Sequence, residues 1–337
     1  MMKKILVLLG AIFLSITFLN AATAPGKIVG GAQHSMPSWF KLSFLDMTAD
    51  AQEAAQKNKH LMLFLDLDGC PYCAKMLHDS FFPKNRTSDF IKAHFDVVQI
   101  RITGDREVTW DDNTVMSEKE FAKKMKVYFT PTILFLDGDK NIVARVDGYR
   151  SPENFLDVLK YVNGKYYKKM ELDAFLEKVK NKNLYKLKPN KLFSNITDLS
   201  KISTPLAVIL EDGSCTQCEY LHNVTFKNKD VAKELKKYTI VRLDTSSDKP
   251  IIDVNGHKTT PKQLALKMNL TYRPTILLYN EKKLQLKIDA LLYSFHLKER
   301  LRYVSGEYYK KYKTYSEYSH MRKNKLLKEG VTIDLSN

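Results

Sequence analysis

The stretch Leu61-Met-Leu-Phe-Leu-Asp-Leu-Asp-Gly-Cys70-Pro-Tyr-Cys73 places two cysteines, separated by two residues, directly after a largely apolar run. The run from Leu61 to Leu67 has the length of a buried β-strand. A helical pattern then begins at Pro71, and proline suits the first position of a helix because that position has no intrahelical partner for an N–H. The sequence therefore predicts a strand that leads into a Cys-x-x-Cys turn at the start of a helix.

The same pattern occurs a second time. Cys215-Thr-Gln-Cys218 follows the first motif by 145 residues, and the two motifs contain all four cysteines of the chain. Pro-Thr-Ile-Leu begins at Pro131 and again at Pro274, and Tyr-Val-x-Gly begins at Tyr161 and again at Tyr303. The chain is therefore an internal duplication with almost no gaps.

Within one unit, strand and helix patterns alternate. After the cysteine helix, the first unit shows a strand at 95–102, a helix from Ser117, a strand at 133–136, a returning strand at 142–146 and a helix at 152–162. Ser117 and Glu120 form a capping box, and Thr260-Pro261 gives the equivalent helix start in the second unit. The order β-α-β-α-β-β-α predicts an α/β protein with two tandem domains, each a central mixed β-sheet flanked by helices.

A chain of 337 residues has room for two such domains. We assign the segments as a signal peptide at 1–22, a first domain at 38–168, a helical linker at 169–191, a second domain at 192–312 and a basic helical tail at 313–337.

The first 22 residues have the order of a secretory signal. Lys3 and Lys4 precede an apolar run at 5–19, and small residues follow at Ala21 and Ala22. We expect cleavage after one of these two alanines and a periplasmic location; the alternative is an uncleaved anchor. Export makes disulfide chemistry possible. Because a pair separated by two residues closes too short a loop to restrain an unfolded chain, the cysteines are expected to serve reactivity.

The formal net charge of +16 comes mostly from lysines spread through both halves. Nucleic-acid binding would favour arginines and stacking aromatic residues clustered on one element. We therefore expect no nucleic-acid partner, and a solvated basic surface with at most weak attraction to anionic membranes.

A strand, a Cys-x-x-Cys at a helix start and a Thr-Pro or Arg-Pro step before a further strand resemble the thioredoxin fold, over nearly all of 40–165 and 192–312. The first unit, with Cys70-Pro-Tyr-Cys73, Thr130-Pro-Thr-Ile and Gly148-Tyr149, is also similar to exported thioredoxin-like proteins of the SoxW type.

This resemblance implies that Pro131 and Pro274 are cis and face the reactive sulfur. The second unit departs from the pattern, since Arg273 takes the place of Thr130, no Gly-Tyr pair follows, and its cysteine motif lacks proline.

A thiol reacts as its thiolate, and the N-terminus of a helix lowers the pKa of a cysteine. We therefore expect Cys70 to attack and Cys73, one helical turn later, to resolve the mixed disulfide. Cys215 and Cys218 are expected to act in the same way. The alternatives are an inert disulfide in one unit and a structural metal site, although zinc ribbons place their second pair only about 15–20 residues from the first. No metal and no organic cofactor are expected.

A proton acceptor would help the second cysteine to attack. Classical thioredoxins carry a buried Asp six residues before the first cysteine, but Phe64 and Ile209 occupy that position here. Asp66 and Glu211, each four residues before its cysteine, are the substitutes that both units offer. The alternative is that these acids face solvent at the strand end.

Four further residues are expected to support the sites: Pro71 and Tyr72 within the first motif, and Thr130 and Arg273 before the prolines. A cation at Arg273 would favour a Cys215 thiolate, or it would select an acidic partner if the side chain pointed outward.

Three other residues are considered as candidates for the sites. His78 and His222 do not align between the units and are interpreted as surface helix residues. Trp110 is interpreted either as core or as a lid over the substrate.

These inferences predict a periplasmic protein–disulfide oxidoreductase. Its expected partners are thiols and disulfides of periplasmic proteins, with an upstream membrane thiol reductase. The resemblance suggests sulfur-oxidation or cytochrome-maturation proteins among them. The alternatives are a disulfide isomerase or oxidase, and a non-catalytic binding module in the second domain.

Overall fold

The computed structural model describes residues 24–82, 84–111 and 113–336. The expected signal peptide, at 1–22, lies outside the described residues. None of the helices in the described ranges is long and apolar enough to span a membrane.

The first half of the chain folds around a four-stranded sheet. Its elements are β1 (Ile28–Val29), α1 (Met47–Gln56), β2 (His60–Asp66), α2 (Pro71–Met76), α3 (Arg86–His94), β3 (Phe95–Arg101), β4 (Glu107–Asp111), β5 (Thr114–Ser117), α4 (Glu118–Lys124), β6 (Thr132–Leu136), β7 (Ile142–Asp147) and α5 (Pro152–Asn163). The sheet has the order β3-β2-β6-β7, in which β2 is parallel to β3 and antiparallel to β6. Every residue of β2 is buried, because helices cover both faces of the sheet.

The second half repeats this arrangement. Its elements are α6 (Leu172–Val179), β8 (Leu206–Glu211), α7 (Cys218–Tyr220), α8 (Lys229–Leu235), β9 (Thr239–Asp244), β10 (Ile251–Ile252), β11 (Lys258–Thr259), α9 (Pro261–Lys267), β12 (Thr275–Asn280), β13 (Lys283–Ile288), α10 (Ser294–Ser305), α11 (Tyr315–Lys328) and β14 (Ile333–Asp334). The sheet order β13-β12-β8-β9 has the same strand directions as the first sheet. Two mixed sheets flanked by helices are therefore confirmed.

Local signals placed several helix starts correctly. Ser117 caps α4 in a reciprocal capping box with Glu120. Proline occupies the first turn of α5, after the cap Ser151, and of α9, after the cap Thr260. These starts could be predicted because each depends on residues within one turn of chain.

The helix α1 and the hairpins β4–β5 and β10–β11 were not predicted from the sequence. Trp110 lies in β4, where its ring packs against Phe121 with centroids 5.6 Å apart. Of the two interpretations of Trp110, core packing is therefore the one that the structure supports. The second domain has only a 3₁₀ turn, Leu199–Lys201, before its first strand and no counterpart of α1 among the described residues.

The ends of the described chain meet. Strand β1 pairs in parallel with β14, with Ile28 opposite Ile333. Tyr318 of α11 is fully buried, and its hydroxyl donates to Glu299 of α10 at 2.8 Å. The segment expected as a basic helical tail is thus packed onto the second domain and reaches the start of the first. The segment at 169–191 is α-helical only over Leu172–Val179.

Candidate active sites

The first site is built where α2 begins. Cys70 is the N-cap of α2, and its Sγ accepts a hydrogen bond from the backbone N–H of Cys73 at 3.2 Å. The Thr130 hydroxyl lies 3.3 Å from the same sulfur, and the Thr130–Pro131 peptide bond is cis. Pro71 occupies the first helical position. The helix start and the cis-proline loop therefore meet at the Cys70 sulfur.

The pKa values of the two thiols of this site are shifted in opposite directions. Burial alone would raise the pKa of Cys70, but hydrogen bonds from Cys73 and Thr130, with the nearby charge of His34, lower that pKa below its ordinary value. Burial raises the pKa of Cys73 well above its ordinary value, and its hydrogen bond with Cys70 raises it further. Cys70 is therefore the better nucleophile, while Cys73 retains its proton.

Asp66 is buried beside this pair. Its carboxylate lies 2.9 Å from Nε2 of His34 and accepts a hydrogen bond from Gln99 at 3.0 Å. After burial and Cys70, the charge of Asp66 is a further cause of the raised pKa of Cys73. The alternative that this acid faces solvent is wrong, because Asp66 is fully buried.

His34 belongs to the site although the sequence analysis did not select it. It lies in a segment without helix or strand periodicity, before the predicted first domain. The same segment contacts the active-site turn directly, since the N–H of Ala32 donates to the carbonyl of Gly69 at 3.1 Å. No local sequence signal indicates such a contact, because it depends on how the segment folds back.

The second site differs at its helix start. Cys215 and Cys218 form a disulfide, and the Arg273–Pro274 bond is cis. However, α7 begins only at Cys218, so Cys215 lies before the helix and is not its N-cap. Thr216 replaces the proline that fixes the helical φ angle at the corresponding place. The expectation that Cys215 has the same helix-terminal position as Cys70 is therefore wrong.

Glu211 is fully buried and has its own histidine. Nε2 of His222 lies 2.9 Å from the Glu211 carboxylate, and the guanidinium of Arg242 lies 3.5 Å from it. The interpretation of His222 as a surface residue is wrong, because its side chain is only 10% exposed and stacks on Tyr185. His78, in contrast, is 86% exposed, as expected.

Arg273 neither points outward nor carries an unmatched charge. Its side chain is 7% exposed, and its guanidinium contacts Glu177 of α6 at 2.5 Å and Asp212 at 3.4 Å. Burial would raise the pKa of Asp212, but Arg273 and Lys180 lower it well below its ordinary value. The expectation that Arg273 selects an acidic partner is wrong, because the segment after the first domain supplies Glu177 as an internal partner.

Tyr72, within the first motif, is covered by the second domain. Its ring stacks on Tyr293 with centroids 4.7 Å apart, and its hydroxyl accepts a hydrogen bond from the Tyr293 N–H at 2.8 Å. His296, the third residue of α10, meets the same ring edge-on.

The reverse contact is also present. Asn154, the third residue of α5, donates from its amide to the hydroxyl of Thr216, within the second motif, at 3.3 Å. The first turn of α5, in the first domain, therefore contacts the second cysteine motif, and the first turn of α10, in the second domain, contacts the first motif.

Phe129 and Tyr272, the aromatic residues before the two cis-proline steps, are each contacted by an arginine from the other domain. The guanidinium of Arg300 lies 5.0 Å from the ring centre of Phe129, and that of Arg150 lies 4.5 Å from the ring centre of Tyr272. In each case one domain supplies the arginine and the other supplies the ring.

The domains also meet at Gly148 and Ala290, which are equivalent positions of the repeat. A Cβ at Gly148 would lie 2.5 Å from that of Ala290. Gly148 meets its own repeat equivalent, and each motif is contacted by the other domain, so the interface is approximately two-fold within one chain. Cys70 is only 5% exposed and Cys215 only 1%.

The described ranges contain no cluster of three or more His, Cys, Asp or Glu side chains arranged for metal binding.

The sequence matches the thioredoxin-like domain family over residues 47–163 and 193–303. These two matches cover more than half of the chain and coincide with the two sheets, so the chain belongs to the thioredoxin-like domain family.

Solved structures with this fold include a thioredoxin-fold protein from Helicobacter pylori, which is 28% identical with a TM-score of 0.32 and is matched over 36% of this chain and 79% of its own. A thioredoxin from Thermus thermophilus is 26% identical, with a TM-score of 0.27, over 34% of this chain and 78% of its own. The first two thioredoxin domains of Saccharomyces cerevisiae Eps1p are 11% identical, with a TM-score of 0.25, over 74% of this chain and 90% of their own. None of the curated proteins matches the sequence.

Proposed function

We propose that this protein is an exported thiol–disulfide oxidoreductase that exchanges disulfides with partner proteins through Cys70 and Cys73. The observation that carries the proposal is that the two cysteines of one motif have different environments. The Cys70 sulfur caps a helix and accepts hydrogen bonds from Cys73 and Thr130, while Cys73 is fully buried one turn later. This arrangement supplies one thiolate for attack and one thiol held for the second step.

The exchange proceeds in two displacements. The Cys70 thiolate attacks a partner disulfide, so that a mixed disulfide forms and the first partner sulfur leaves and takes up a proton. Cys73 then loses its proton, attacks the Cys70 sulfur and releases the second partner sulfur as a thiol. One partner disulfide is reduced to two thiols while the protein dithiol becomes a disulfide. The reverse sequence oxidises a partner.

A protein partner requires the two domains to separate. Tyr72 stacks on Tyr293 of the second domain and Cys70 is only 5% exposed, so the closed site has no room for a protein partner. Opening exposes the cis-proline loop and the cysteine together. The conformational step therefore controls access, and the thiol geometry controls the chemistry.

A structural or partner-binding role is the second candidate for the second domain. Cys215 lies outside the helix that should lower its pKa, and it is more deeply buried than Cys70. These features favour a disulfide that turns over more slowly than the first, or not at all.

The proposals on location and partners are supported by the sequence alone. The order of charged, apolar and small residues at 1–22 supports export to the periplasm. The similarity of the first motif to proteins of the SoxW type supports partners in sulfur oxidation or cytochrome maturation, with a membrane thiol reductase that supplies electrons.

Reduction of insulin by the mature protein in the presence of dithiothreitol tests the proposal. We expect turnover by the wild type, nearly complete loss in a Cys70→Ser/Cys73→Ser variant, and most of the activity in a Cys215→Ser/Cys218→Ser variant. Equal activity in all three proteins would refute the assignment of the first site.

A further inference from the structure

We propose that His34, in the segment before the first thioredoxin-like domain, is a positioning residue of the first redox site, where its imidazolium holds Asp66 and stabilises the Cys70 thiolate. This inference rests on the proposed function, since it concerns the same cysteine pair.

Both ring nitrogens of His34 face oxygen acceptors. Nε2 lies 2.9 Å from a carboxylate oxygen of Asp66, and Nδ1 lies 3.1 Å from the carbonyl oxygen of Ala32. A neutral imidazole has one N–H and can donate to only one of these oxygens. The imidazolium has two N–H groups and satisfies both, so the surroundings of the ring select the charged form.

Burial strengthens this charge arrangement. The side chains of His34 and Asp66 are 5% and 1% exposed, so little water screens them. The hydrogen bond with Asp66 is the largest cause of a raised pKa of His34, and the charges of Asp66 and Cys70 contribute in the same direction. The same attraction lowers the pKa of Cys70, after its hydrogen bonds to Cys73 and Thr130.

The segment that carries His34 is held at two places. Ala32 is bonded to Gly69, the residue before Cys70, and Gly31 packs on the same turn. Further towards the N-terminus, β1 pairs with β14 at the other end of the chain. The C-terminal strand therefore helps to keep the histidine at a cysteine site in the other domain.

The second site contains a related pair. His222 lies 2.9 Å from Glu211, which is four residues before Cys215 as Asp66 is four before Cys70. The two histidines come from different parts of their units, so the repeat does not dictate the match. The buried acid of each unit therefore has a histidine within hydrogen-bond distance, although the two histidines occupy different positions in the repeat.

The test is the pH dependence of Cys70 alkylation in the reduced, full-length mature protein. Iodoacetamide labels the thiolate, and mass spectrometry of the Cys70 peptide gives its rate without any need for turnover. In His34→Gln, which keeps a hydrogen-bond donor but has no charge, we expect the Cys70 pKa to rise and its rate at pH 6 to fall about 3- to 10-fold. The rates of variant and wild type should converge above pH 9, where each thiol is largely ionised.

Two further variants separate charge from structure. His34→Lys restores a cation and should recover most of the lost rate at pH 6, whereas His78→Gln, at an exposed histidine, should behave as the wild type. An unchanged Cys70 titration in His34→Gln, or equal losses in the Gln and Lys variants, would overturn the inference. A His34-dependent titration in a protein that cannot reduce insulin would instead refute the proposed function and leave the role of His34 standing.

Discussion

Removal of the Tyr293 ring should open the interface that covers Cys70. Tyr293→Ala deletes the ring that stacks on Tyr72 and leaves its backbone N–H in place. A stacked aromatic pair contributes about 0.5–1.5 kcal/mol beyond the area that it buries, so we estimate a total loss of about 1–2 kcal/mol. Since 1.4 kcal/mol is about a factor of ten in an equilibrium constant, the open population should rise about 5- to 30-fold.

The assay is the rate at which a polyethylene-glycol maleimide modifies Cys70 in the reduced protein. Such a bulky reagent requires opening, so its rate follows the open population, while iodoacetamide should be accelerated much less. Tyr72→Phe removes only the hydroxyl that accepts the Tyr293 N–H, a loss of about 1 kcal/mol, and should give a rise of about fivefold.

A matched control is the contact between Tyr166 of the first domain and Phe175 of α6, which packs in the core of that domain. Tyr166 and Phe175 are also 4.7 Å apart between ring centres, but their contact does not bridge the domains. Tyr166→Ala should leave maleimide labelling within about twofold of the wild type. If Tyr293→Ala also stayed within twofold, or if both reagents were accelerated equally, the closed interface would not limit access and the reasoning would fail.

Four further predictions follow from the same contacts. Cys73→Ser should trap partner proteins as reductant-sensitive adducts and Cys70→Ser should trap none, as judged by non-reducing electrophoresis of an exported extract; equal trapping would reverse the order of attack. Thr130→Val removes a hydrogen bond to the Cys70 sulfur and should raise the Cys70 pKa, measured by thiolate absorbance; no shift would exclude the hydroxyl. Arg273→Met leaves Glu177 and Asp212 with Lys180 as their remaining cation and should lower the free energy of unfolding by about 1–3 kcal/mol in urea titrations, whereas a loss below about 0.5 would refute the buried pairing. Gly148→Val has no room beside Ala290 and should accelerate maleimide labelling of Cys70; an unchanged rate would contradict the close approach.

The contribution of the His34–Asp66 pair to the free energy of unfolding should depend on pH. The folded-state pKa of His34 is raised, so its pairing with Asp66 contributes stability below the unfolded pKa and loses it as pH rises through the folded value. The difference in free energy of unfolding between the wild type and His34→Gln should therefore shrink from pH 6 towards pH 9. A difference that stayed constant over this range would contradict the charged state of His34.

The fold was predictable where its signals are local. The strand before Cys70 and the cap at Ser117 depend on a few neighbouring residues, and both signals recur in the second unit. The helix α1 was missed because its sequence, with alanine, glutamate and glutamine, shows only a weak apolar stripe. The β4–β5 hairpin and its counterpart β10–β11 in the second unit were missed because their strands are short.

The candidate sites were predictable only in part. The cysteines and the cis prolines follow from motifs, but the direction of Arg273 depends on Glu177, which is 96 residues away in the chain. His34 and the covering of Tyr72 depend on how distant segments pack. Such contacts cannot be read from spacing, because they are set by tertiary structure and not by the neighbouring residues.

The most direct test of the central claim is the redox equilibrium of Cys70 and Cys73 in glutathione buffers, measured by alkylation and mass spectrometry of the full-length mature protein. The account predicts a reversible change between dithiol and internal disulfide, with a midpoint between about −270 and −120 mV, the range of thioredoxin-fold oxidoreductases. A pair that remains fully reduced or fully oxidised across that whole range would contradict it.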